Sequence, residues 1–94
     1  MDYHYPIDET WSKEEIIKVV HFFTLIEKAY ESNVKREDIL QAYKIFKEIV
    51  PSKSEEKQYF SAFEKASGYS SFHVVKQARQ TTEGTIHIEK GTWK

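Results

Sequence analysis

Apolar residues recur at three- and four-residue steps in four separate blocks of this chain. Ile16, Val19, Val20, Phe23, Ile26 and Tyr30 mark one helical face, and Ile17, Phe22, Leu25 and Ala29 widen it. A face that broad predicts a central helix, over about 13–32, that touches several neighbours. Ser12 and Glu15 stand at capping-box spacing before it, and Trp11 and Ile16 at the spacing of a hydrophobic staple. Asn33 is the expected stop, in the left-handed conformation, with Val34 folding back.

The second block, about 36–50, buries Ile39, Leu40, Tyr43, Phe46, Ile49 and Val50, and Pro51 closes it. The third, about 53–67, repeats the capping box with Ser52 and Glu55 and carries Tyr59, Phe60, Ala62, Phe63 and Ala66. Gly68 is its natural stop, with Tyr69 expected to pack back on Phe63. The fourth, about 71–80, sets Phe72, Val75 and Ala78 on one side, with Val74 beside them.

The two ends read differently. Tyr3, Tyr5, Pro6 and Trp11 make an extended aromatic arm that needs a surface to lie on. Residues 81–94 are rich in Thr and Gly, so they predict a mobile tail. Ile86 and Ile88 alternate there like a strand, but the one other alternating stretch, Tyr3 to Ile7, is broken by Pro6. Short connections favour an up-down arrangement. The expected fold is therefore all-α: a four-helix bundle formed by a single domain over 1–80, with the arm across it.

Composition narrows the chemistry. The 94 residues are 39% hydrophobic and 31% charged, enough for one core and too few for a deep enclosed cavity. There is no cysteine, which excludes disulfides, thiolate metal sites and thiol catalysis. Fourteen basic against fifteen acidic side chains leave little field to attract nucleic acid. No apolar run is long enough for a membrane span and no charged-then-apolar leader is present, so the expected compartment is the cytoplasm.

Particular residues add a resemblance. Asp2-Tyr3-x-Tyr5-Pro6-Ile7 with Trp11, Ile26-Glu27-Lys28-Ala29-Tyr30-Glu31, Phe46-Lys47-Glu48-Ile49-Val50-Pro51-Ser52-Lys53 with Glu55-Glu56-Lys57, and Ser67-Gly68-Tyr69-Ser70 together resemble uncharacterised protein family 0223. The likeness covers roughly Met1 to Ala78 and implies a small helical fold in the cytosol of Gram-positive bacteria. It implies no activity, cofactor or partner.

Candidate chemical groups have structural alternatives. His4, His21, His73 and His87 lie on different segments, none at helical ligand spacing from another. His21 is expected to be a partly buried structural residue, and a metal cage of His4, Asp8 and Glu9 lacks anything to fix it. The acidic pairs Glu14–Glu15, Glu37–Asp38 and Glu55–Glu56 fall in first turns, where they oppose the helix dipole. Lys44, Lys47, Lys53 and Lys57 are interleaved with Glu48, Glu55 and Glu56, which should cancel their field. No catalytic residue, metal or cofactor is expected.

Two surfaces stand out. The fourth helix starts without an acid, so Ser70, Ser71, His73 and Lys76 form a candidate anion site, against the alternative that a serine simply caps the helix. Fourteen aromatic residues supply either a core or an interface, and Tyr30, Tyr43, Tyr59 and Tyr69 are the candidate anchors. The reading that follows is a non-catalytic interaction or regulatory module binding a protein partner, with a homodimer its simplest form. A phospho-ligand regulator and an enzyme are the alternatives.

Overall fold

A computed structural model describes residues 5–88. Among them are four helices, α1 (Lys13–Glu31), α2 (Arg36–Ile49), α3 (Lys53–Ser67) and α4 (Ser71–Gln80), and two short strands, β1 (Val34–Lys35) and β2 (Thr85–Ile86). The mostly helical class read from the periodicity is the class observed.

Local chemistry starts and stops these helices. The Ser12 hydroxyl accepts from the Glu15 amide, and the Glu15 carboxylate accepts from the Ser12 amide at 2.8 Å, completing the box. Ser52 accepts from the Glu55 amide and Ser70 from the His73 amide, so each later helix of the pair has a serine cap. Gly68 ends α3 at φ +82°, where any Cβ is strained. Asn33 does not act as a left-handed stop, since no described residue other than glycine has positive φ. The chain leaves α1 through Ser32 and Asn33 and enters β1 at Val34.

Phe22, Phe23, Phe46, Phe60 and Phe63 are all 1% exposed or less and fill the centre. Their ring centroids approach to 4.6 Å for Phe23–Phe63, 5.0 Å for Phe22–Phe46 and 5.5 Å for Phe46–Phe60. Each such pair adds about 1 kcal/mol beyond its buried area. Around this cluster α2 packs against α1 and α4, and α4 also against α3. Ile17, Ala62, Ala66 and Phe72 were expected on buried faces and are exposed. On α3 the inward positions are instead Glu56, Phe60, Phe63 and Ser67, one continuous helical stripe.

The arm lies across the body as its aromatics require. Tyr5 stacks on Phe23 and Phe63, and Trp11 packs on Tyr59 at 5.2 Å. The Asp8 carboxylate accepts from the Thr10 amide and hydroxyl, which folds the turn before α1 and lowers the Asp8 pKa.

The segment after Thr81, expected to be mobile, is packed through Ile88. β2 pairs antiparallel with β1, Val34 opposite Ile86 and Lys35 opposite Thr85. The Arg36 amide donates to the Gly84 carbonyl, and the Ile88 amide to the Ala29 carbonyl at 2.7 Å. Ile86 and Ile88 are 2% and 4% exposed. Their burial supplies the energy that the Thr- and Gly-rich composition hides, about 2 kcal/mol for each side chain. The rest of the expected tail, 89–94, lies outside the described residues.

Candidate functional site

A cleft of about 700 Å³ opens where α3 and α4 flank the exposed side of Tyr43 from α2. Its floor is apolar: Phe60 and Val75 are buried, while Phe72 stands half-exposed at 49%, edge-on to Phe60 at 4.7 Å. Phe72 sits on α4 two residues after the Ser70 cap.

Its margins are cationic. Lys53 and Lys57 are four residues apart on α3, and Lys76 and Arg79 three apart on α4, so each pair shares a helical face. Among the described residues, none of the three lysines has an ion-pair partner. The Arg79 guanidinium lies 5.2 Å from the centre of the Tyr43 ring, a cation–π placement that orients its fork.

The acid that lines the cleft, Glu56, is 5% exposed and fully engaged. One of its oxygens accepts from Lys47 Nζ at 2.5 Å and the other from the Tyr43 hydroxyl at 2.7 Å. Burial, and then the Glu56 carboxylate, push the Tyr43 phenol up to about 12. Tyr43 is therefore a neutral hydrogen-bond donor at physiological pH. Glu56 pairs with Lys47, as the interleaved charges lead one to expect, and neither Glu48 nor Glu55 is in the lining of this cleft.

The four candidate interface tyrosines have separate places. Tyr30 and Tyr69 are buried and stacked on each other at 4.6 Å. The Tyr30 hydroxyl accepts from the Ser70 amide, and the Tyr69 hydroxyl donates to Glu31 at 2.8 Å. Burial and Glu31 raise the Tyr69 phenol to about 12. Tyr59 is half-buried under Trp11 and donates to Asp8. Tyr43 alone among them reaches the cleft. Tyr43, Tyr59 and Tyr69 thus tie their elements to carboxylates, with Tyr5 to Glu27 a further case at 2.5 Å.

The candidate anion residues are not brought together at an accessible point. Ser70 is buried and its hydroxyl is taken by the His73 amide; Ser71 is 1% exposed. Lys76 instead faces the cleft with Phe72 and Arg79. His21 is exposed, not partly buried, and lies beside Ile17 and Ile45 in a shallow depression between α1 and α2. Asp8 is occupied by Thr10 and Tyr59, and His4 lies outside the described residues. Among the described residues no three His, Asp or Glu gather as a metal site, and no helix is long and apolar enough to cross a membrane.

The fold and the cleft define a small, mostly helical domain with one basic, aromatic-floored surface. The chain belongs to the Uncharacterised protein family (UPF0223), whose model matches residues 2–87. It is similar to the UPF0223 protein of Oceanobacillus iheyensis, 66% identical over 88 residues that cover 94% of this chain and 100% of that one. The UPF0223 protein of Bacillus pumilus is 54% identical over 92% of this chain and 97% of its own length. That of Staphylococcus aureus is 54% identical over 88% and 91%. The family is of unknown function. Its match reaches Ile86 and His87, beyond the stretch on which the sequence resemblance rested.

Proposed function

We propose that this chain is a non-catalytic binding module of the bacterial cytoplasm that recognises another protein through the α2–α3–α4 cleft. The observation that carries this reading is the set of lysines around the half-exposed Phe72 that have no ion-pair partner among the described residues. Desolvated aromatic side chains ringed by polar groups are the usual anchors of protein interfaces. A non-catalytic role is supported by the duties of the reactive groups: Glu56, Tyr43, Asp8 and Ser70 each hold a neighbour in place. The lack of cysteine suits a reducing compartment.

The test is a photo-crosslinking amino acid at position 72, introduced into the full chain in its native cell. The expected product is a discrete adduct that protease destroys and nuclease does not. It disappears when Lys57 and Lys76 are both changed to Glu. An adduct to a second copy of the same chain identifies the homodimeric form. Absence of any adduct, or one degraded by nuclease, overturns the reading.

A further inference from the structure

Resting on that reading, we infer that the cleft takes an acidic peptide segment carrying one bulky apolar anchor. Lys53 and Lys57 come to the cleft from α3 and Lys76 and Arg79 from α4, and Phe60, Phe72 and Val75 supply its apolar surface. An occupant that matches this lining combines an apolar anchor with negative charge. Amphipathic segments seat in helical grooves in this manner.

Charge complementarity selects the sign. The whole chain has a formal charge of −1, yet among the described residues the cleft exposes no acid, since Glu56 is buried against Lys47. Among the described residues, the cations of this cleft thus face no exposed acid in its lining. Such segregation steers an acidic partner and repels a basic one. The Arg79 fork is already oriented over Tyr43, so less side-chain freedom is lost when it meets a carboxylate.

A nucleotide fits less well. Phosphate groups are cradled by converging backbone amides, commonly at a glycine turn. Among the described residues no glycine lines the cleft. Of the rings that line the cleft, Arg79 lies over Tyr43 and Phe60 is 1% exposed, which leaves Phe72 alone open for base stacking.

Selection of a random-peptide display library on the full chain tests the inference. Enriched sequences are expected to carry Asp and Glu around an aromatic or large aliphatic residue. Their synthetic peptides should lose affinity roughly tenfold or more when Lys57→Glu and Lys76→Glu are combined, and again as salt is raised. Both lysines are exposed, and an unchanged circular dichroism spectrum of the double variant shows that the fold is retained. Enrichment of neutral or basic peptides, no enrichment, or unchanged affinity for the double variant overturns the acidic-peptide assignment. So does binding of ATP, used as the small-anion probe, that is tighter than that of the peptides and is lost in the same double variant. If selection fails while position 72 still crosslinks to a protein, the inference falls and the binding-module reading stands. If crosslinking fails, both fall.

Discussion

Tyr43 and Glu56 are joined by a 2.7 Å hydrogen bond that ties α2 to α3 beneath the cleft, with Lys47 closing the other side of the carboxylate. Glu56 is buried, so its charge is tolerable only because both oxygens are matched. Lys47→Met should therefore cost about 2 kcal/mol by leaving the carboxylate half-satisfied. Adding Glu56→Gln removes the charge and should recover much of that loss. Urea unfolding of the two single variants and the double variant measures the coupling, and strictly additive losses contradict the arrangement.

Stability should fall at alkaline pH ahead of general denaturation. The Tyr43 and Tyr69 phenols ionise at an ordinary 10.0 when unfolded and at about 12 when folded. Between those values the unfolded chain has released protons that the folded chain retains, so stability declines as pH rises. The contribution is complete below pH 10 and lost through about 12. Tyr69→Phe should make this decline shallower in a series of thermal melts. Equal slopes for the parent and the variant would count against burial and Glu31 as the causes.

Ser71 offers a gain. Its hydroxyl is buried with no hydrogen-bond partner among the described residues. Ser71→Ala should leave stability unchanged or raise it by up to about 1 kcal/mol, since a desolvated polar atom is removed. A loss of more than that in chemical denaturation implies a partner for the hydroxyl.

The β1–β2 pairing predicts that Ile86 belongs to the core. Ile86→Ala should cost about 3 kcal/mol, the range of a buried aliphatic truncation. The Ile88 amide, donating to Ala29, should exchange with deuterium as slowly as amides in α1. Rapid exchange there, or a negligible loss for Ile86→Ala, contradicts the packed segment.

Signals confined to one turn were legible in the sequence. Ser12 with Glu15 and the stop at Gly68 need only neighbouring residues, and both formed as their spacing implies. Relations between distant segments were not. Ile86 and Ile88 alternate visibly, but their partner β1 is two residues long, too short to show a period of its own. Asn33 missed its expected role because the chain goes straight from α1 into that strand.

The cleft was hidden for a related reason. Lys53 stands four residues from Lys57 and Lys76 three from Arg79, but only the packing of α3 against α4 brings the two pairs to one cleft. The tyrosines misled because a hydroxyl suits a wet interface and a buried carboxylate equally well. Here Tyr43, Tyr59 and Tyr69 all found acids within the chain.

The Val34–Ile86 register has a bearing on how the molecule is made. Ile86 and Ile88 leave the ribosome only after every helix, yet they cover the junction of α1 with α2. A nascent chain can collapse around its phenylalanines early but must keep that junction open to water until synthesis has passed Ile88. Completion of the fold is thus coupled to translation of a segment that none of the helices contains.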